Sequence, residues 1–171
     1  NGVEQDGYGR IIRDSLGALT DIVEESEATT EQLAITEVNG GVYAFRAVSL
    51  WPALKTLKPS PNGEVYLTAM VACVHQGEGA IATVQAADSN DVLGVNTRVD
   101  LANAEVVLRD RIRRKHMLDG VTLIDPSTTY IDSGVLIGRD TVVYPNSHLQ
   151  GSTRISESCR IGPNSVLKDS N

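Results

Sequence analysis

Seven apolar residues stand six apart in the last quarter of the chain: Ile131, Ile137, Val143, Leu149, Ile155, Ile161 and Leu167. A second lane, four residues after each of the first six, is mostly small: Val135, Thr141, Ser147, Thr153, Cys159 and Ser165. A period of six fits neither an α-helix at 3.6 nor an alternating strand. It fits a parallel β-helix of hexapeptide repeats, with about three hexapeptides to a coil. Each apolar residue then points into the coil, and the small residue lets the chain turn tightly. Little more than two coils are expected.

The pattern upstream is mixed. Gly9–Arg13 and Leu19–Glu24 read as short strands around a turn at Leu16-Gly17, and Ile35–Phe45 reads as β-rich, broken by Gly40-Gly41. Ala47, Leu50, Leu54 and Leu57 fall at helical spacing, with Ser49 at the cap and Pro52 in the first turn. Lys58–Gly63 is a loop, Leu67, Met70, Val71 and Val74 form a second helical stripe, and Ala80–Val84 reads as a strand. A longer helix is predicted from Arg98 to Met117, with Leu101, Ala104, Leu108 and Ile112 on its apolar face. Its acids lie early and Arg111, Arg113, Arg114 and Lys115 late, which suits the helix dipole. Those four read as a solvated helix end rather than an anion site, and Gly120 as the stop.

Composition narrows the partners. The chain has 171 residues, 4% aromatics and a net charge of −7. That charge argues against nucleic acid or an anionic membrane as the main partner. No apolar run approaches about 18 residues, so no membrane span is expected. Cys73 and Cys159 have neither CxxC spacing nor histidine neighbours. Both read as structural, in a reducing cytoplasm. His75, His116 and His148 form no metal or triad pattern and read as surface or structural.

Five ordered motifs precede the repeats: Gly7–Arg10 (GYGR), Ile22–Glu24 (IVE), Glu37–Gly41 (EVNGG), Glu64–Thr68 (EVYLT) and Gly94–Arg98 (GVNTR). With Asp119–Pro126 (DGVTLIDP), their order and spacing resemble the bifunctional bacterial N-acetylglucosamine-1-phosphate uridyltransferase/glucosamine-1-phosphate acetyltransferase family. The resemblance implies an α/β fold, the second half of a Rossmann-like nucleotidyltransferase domain, followed by a left-handed parallel β-helix. It divides the chain into a uridyltransferase part at 1–98, a helical linker at 99–119 and the start of the acetyltransferase β-helix at 120–171. Hexapeptide β-helices are common in acyltransferases, but the family's acetyl-transfer site lies in later coils. Its glycine-rich phosphate loop and its Mg²⁺-bearing Asp are also absent from this sequence. The resemblance thus implies an internal piece of a longer, homotrimeric enzyme of cell-wall precursor synthesis, inactive alone. Acetyl-CoA and Mg²⁺ would serve the whole enzyme, and UTP and N-acetylglucosamine 1-phosphate would be its uridyl-transfer substrates.

The resemblance also implies a substrate-binding set of Gly9, Glu24, Asn39 and Asn96, with no catalytic residue. Gly9 would let its backbone approach the sugar's acetamido group, because it has no Cβ; a plain turn glycine is the alternative. Glu24, at a strand end, would accept two sugar hydroxyls; otherwise it is an exposed strand-end acid. Asn39 lies among apolar neighbours and would find partners in the sugar or in the backbone near a bulge. Asn96 matches the family's second Mg²⁺ ligand, though one amide oxygen binds that ion poorly, and it also suits a helix N-cap.

Some positions depart from the family. No basic residue follows Glu24, where Glu25-Ser26-Glu27-Ala28 stands, and Val65 and Ala69 replace polar residues. A related sugar-1-phosphate nucleotidylyltransferase with a β-helical tail therefore stays open, as does a non-catalytic assembly subunit. An open coil edge also predicts poor solution behaviour in isolation.

Overall fold

The six-residue period closes into a three-sided coil. In the computed structural model, which describes residues 7–77 and 79–171, Val121 onward winds through eight short parallel strands. They are β3 (Thr122–Leu123), β4 (Tyr130–Ile131), β5 (Leu136–Ile137), β6 (Val142–Val143), β7 (His148–Gln150), β8 (Arg154–Ile155), β9 (Arg160–Ile161) and β10 (Val166–Lys168). They stack into three parallel sheets, β3-β6-β9, β4-β7-β10 and β5-β8. Tyr130 pairs with His148 and His148 with Val166, eighteen residues apart each time. Three hexapeptides therefore make one coil. The first coil is two residues longer on one side, where Thr122 pairs with Val142.

Both lanes fill the interior. Ile131, Val143 and Leu149 are buried, with Ile137, Ile155, Ile161 and Leu167 packed against them. Thr141, Ser147 and Thr153 are fully buried, and their hydroxyls donate to the carbonyls of Ser156, Tyr144 and Gln150 at 2.7–2.8 Å. Such bonds satisfy turn carbonyls that would otherwise be buried unpaired. The corners need left-handed backbone: Asp140 and Ser158 have φ of 61° and 57°, Asn146 and Asn164 of 59° and 58°, Gly151 and Asp169 of 66° and 48°. Each pair is one coil apart, and the small polar residues there are among those that tolerate this conformation.

A 21-residue helix, the last of four among the described residues, precedes the coil. It spans Arg98–Leu118 and is called α4 after α1 (Thr30–Leu33), α2 (Ala47–Leu54) and α3 (Ala69–Gln76). Thr97 caps α4 in a reciprocal box with Asp100. At the other end Val121 N–H reaches His116 C=O, Gly120 N–H reaches Met117 C=O, and Gly120 sits at φ 97°. That is a Schellman stop, as expected of Gly120. Of the expected apolar face, Ile112 packs against the core of the coil. Leu101 and Leu108 are more than half exposed, while Arg113 and His116 are buried. Contact with β3 and β4 involves the end of α4, so its earlier turns face solvent. Arg113 therefore corrects the reading of a solvated basic end. It donates to Pro126 C=O at 2.5 Å and pairs with Asp110 at 3.3 Å. Arg109 lies over the Tyr130 ring, which stacks on His148 at 4.5 Å.

The chain separates into two units, Asn1–Gly94 and Val95–Asn171. Residues 1–6 of the expected 1–98 part, and Glu78, lie outside the described residues. In the first unit β1 (Arg10–Arg13) and β2 (Leu19–Val23) form an antiparallel hairpin whose turn is held by Asp14 and Gly17. Leu19 and Ile22 of β2 pack on Val71 of α3. Three expectations need correction. Ile35–Phe45 makes a single bridge, from Val38 to Arg10, rather than a strand. Ala80–Val84 is also no strand: Ile81 packs on the core, but Val84 is 95% exposed and no neighbouring strand pairs there among the described residues. Helix α2 ends at Leu54, before Leu57, with Arg46 rather than Ser49 at its cap.

Candidate functional site

The local path of the first unit brings Gly9, Glu24 and Asn39 together. Gly9 is buried just before β1, beside the end of β2. A Cβ on it would stand 3.1 Å from Ile22 Cγ2 and 3.4 Å from Glu24 Oε2. The bare backbone there thus spares a tight contact with Ile22 and leaves the Glu24 carboxylate close to the Gly9 main chain. Asn39 N–H donates to Gly9 C=O at 2.8 Å, and Ile11 N–H to Glu37 C=O at 3.0 Å. These bonds lay residues 37–39 along the edge of β1.

Glu24 follows β2 and is half-buried. Its Oε1 accepts the Thr68 hydroxyl at 2.6 Å, and Thr68 is buried at the start of α3. One carboxylate oxygen is thereby fixed, and the other faces the Gly9 backbone. Asn39 is half-buried, and its side-chain oxygen accepts Gly41 N–H at 3.1 Å. This is an Asx turn into Gly41, whose φ is 73°. Tyr43 lies close by with a buried hydroxyl that makes no well-formed hydrogen bond. Burial raises its pKa, proximity to Asn39 opposes the rise, and the Glu24 charge adds to it. Tyr8 closes the group, with its hydroxyl accepting Gly94 N–H at 2.5 Å and Val92 packing where Gly40 leaves space.

A cavity of about 210 Å³ opens beside Glu24, lined also by Lys58, Ser60, Tyr66, Thr68 and Ala69. Sequence reasoning missed Thr68 and Lys58 as members of this site. Thr68 ends the Glu64–Thr68 motif, which was the available signal. Lys58 lay in a loop with no pattern, and only the fold carries it to Glu24. It puts a cation where the segment after Glu24 supplies none. Glu25 instead accepts Gly7 N–H at 2.7 Å and lies 3.8 Å from Arg10. Fixed carboxylate, free backbone and amide suit hydroxyl and acetamido groups, and nothing in the group is placed as a nucleophile or general acid.

Asn96 belongs to the second unit and is exposed. The cap of α4 is Thr97, not Asn96, and Asn96 N–H donates to Asp100 Oδ2 at 3.1 Å. Asp100 also takes Thr97 N–H and its hydroxyl, which hold its pKa below the ordinary carboxylate value. The Asn96 side chain makes no hydrogen bond with a described residue. Mg²⁺ takes about six hard oxygen donors, carboxylates among them. Among the described residues no three His, Cys, Asp or Glu gather to hold a metal, so one amide oxygen does not make a site.

Comparison with known proteins decides the relationship. No protein-family model matches the chain. Curated relatives do: "Bifunctional protein GlmU" of Caldanaerobacter subterraneus is 49% identical over 165 residues, 96% of this chain. This chain is homologous to a segment of the bifunctional GlmU proteins. The GlmU proteins of Heliobacterium modesticaldum and Clostridioides difficile are 45% and 44% identical over the same share. In all three the match spans 36% of the relative, so the chain covers about a third of these GlmU proteins. No described helix is long and apolar enough to cross a membrane.

Proposed function

We propose that the first unit binds the sugar phosphate in a uridyltransferase, and that the second begins the β-helical acetyltransferase domain of the same enzyme. The whole protein would make UDP-N-acetylglucosamine in the cytoplasm for cell-wall precursors. In the uridyl-transfer step the phosphate of N-acetylglucosamine 1-phosphate attacks the α-phosphorus of UTP, and pyrophosphate leaves. Glu24 accepts sugar hydroxyls, Gly9 admits the acetamido group against its backbone, and Asn39 and Thr68 hold these two in place. The supporting observation is the Thr68 bond to Glu24 beside a glycine where a Cβ would press on Ile22. Enzymes of this class act mainly by positioning and charge neutralisation. Mg²⁺ would supply the neutralisation, with Asn96 as one donor among several. The described residues alone do not hold the ion.

The first unit is read as the second half of a Rossmann-like domain, and the second as a left-handed coil that assembles a homotrimer. Acetyl-CoA serves the acetyl transfer of later coils. The test is pyrophosphate release from UTP and N-acetylglucosamine 1-phosphate by the native protein that carries this chain. Glu24→Ala should lower kcat/KM by roughly a hundredfold, the scale of losing two charge-assisted hydrogen bonds. Unchanged kcat/KM overturns the sugar-binding role, and preference for another nucleotide or sugar moves the protein to a related transferase.

A further inference from the structure

A second cleft, of about 560 Å³, lies within the second unit between the last turns of α4 and the open edge of β5. The β5-β8 sheet has two strands, so nothing pairs with the outer edge of β5 among the described residues. Leu136 and Gly138 turn their N–H groups to Thr153 and Ile155 of the coil below. Alternation along a strand then turns the N–H and C=O of Ile137 to the open edge. The floor is apolar: Ile112, Val135, Leu136, Ile137 and Ile155 line it.

His116 lines this cleft and is only 7% exposed. Its imidazole makes no hydrogen bond with a described residue. Its ring nitrogens are not sealed from solvent, so they open into the cleft and are free to meet a ligand there. Lys115 and Arg154 line the same cleft, are exposed, and form no ion pair with a described residue. Asp119 supplies the one opposing carboxylate. Two cations against one acid make the cleft positive on a chain whose net charge is −7. Burial lowers the His116 pKa, with Lys115 adding to the effect, so the ring is neutral at pH 7 and offers one donor and one acceptor.

We propose that this cleft binds a small organic anion, a phosphate monoester or carboxylate carried on an apolar body. The body lies on Ile112, Ile137 and Ile155, the anionic group meets Lys115 and Arg154, and His116 and the Ile137 backbone supply neutral hydrogen bonds. An apolar pocket with a few converging polar groups is the usual form of a small-molecule site. The cleft contains none of Gly9, Glu24, Asn39 or Asn96, so it stands independently of the sugar-binding reading.

The test is titration of the ¹⁵N-labelled chain with phenyl phosphate, benzoate, inorganic phosphate and benzyl alcohol, followed by amide and imidazole NMR shifts. Saturable shifts at Ile137, Gly138, Asp119 and the His116 ring with phenyl phosphate or benzoate are expected, and the stronger of the two identifies the anion. Arg154→Gln and Lys115→Gln are surface changes that leave the coil intact. Each should weaken binding roughly tenfold, as for loss of one charge-assisted hydrogen bond. No saturable shift, affinity in both variants unchanged from that of the unaltered chain, or equal affinity for inorganic phosphate or benzyl alcohol would overturn the proposal.

Discussion

The Thr68 hydroxyl donates to Glu24 Oε1 at 2.6 Å, joining the start of α3 to the end of β2. Glu24 is thus pre-set in one rotamer rather than free at a strand end. Thr68→Val keeps the shape and removes the donor. It leaves a half-buried carboxylate oxygen unsatisfied, worth about 1–3 kcal/mol. The expected outcome is roughly tenfold weaker binding of UDP-N-acetylglucosamine by calorimetry, with thermal unfolding shifted only by a few degrees. Thr68→Ser should restore most of the affinity.

Gly151 has φ 66° and stands directly against the Asp169 carboxylate of the next coil. Gly151→Ala adds a Cβ in a left-handed backbone and into that carboxylate. A loss of about 1–3 kcal/mol is expected from strain of this kind. The urea midpoint should fall, whereas Asn146→Gly, at a corner of similar φ, should leave it nearly unchanged.

The lane itself sets the largest stability effect. Leu149 is fully buried between its coil neighbours, while Leu136 is half exposed. Leu149→Ala should cost about 2–5 kcal/mol through lost burial and a residual cavity. Leu136→Ala should cost within about 0.5 kcal/mol, as surface changes usually do. Chemical denaturation of the two variants checks the contrast.

His116 predicts a pH response. Its folded pKa lies below the ordinary value of 6.5, chiefly through burial, with Lys115 lowering it further and Asp119 opposing. A histidine held neutral by folding contributes stability that is full above its unfolded pKa and declines as pH falls below it toward the folded value. Lys115, Asp119 and Arg154 are the charged side chains that share its cleft. Thermal midpoints should therefore drop between about pH 6.5 and 5. In His116→Asn that part of the drop should vanish.

Most of the coil was readable, because a strict period needs no tertiary context: the lane from Ile131 to Leu167 marks each strand from β4 to β10, while β3 lies ahead of it in a longer turn. The same holds for Gly120, whose place after a dipole-ordered helix fixed the stop of α4. The helix face was legible only at Ile112: Leu101 and Leu108 have the right spacing, but packing involves the end of α4, at Ile112, Arg113 and His116. Helix α1 was missed although Thr29 and Gln32 form a capping box that the sequence displays. Ile35–Phe45 and Ala80–Val84 look like strands because their residues favour extension, but a strand also needs a neighbour to pair with. In the site, Gly9, Glu24 and Asn39 came from the resemblance and converge. Lys58 and Thr68 came from the fold, since long-range neighbours leave no local periodicity.

The most direct measurement is titration of UDP-N-acetylglucosamine into the ¹⁵N-labelled chain, with and without Glu24→Ala. Binding through the first unit predicts saturable shifts at the amides of Gly9, Asn39, Gly41 and Thr68, all lost in Glu24→Ala with the rest of the spectrum unchanged. Shifts that persist in Glu24→Ala, or none at those four amides in the unaltered chain, would contradict the account.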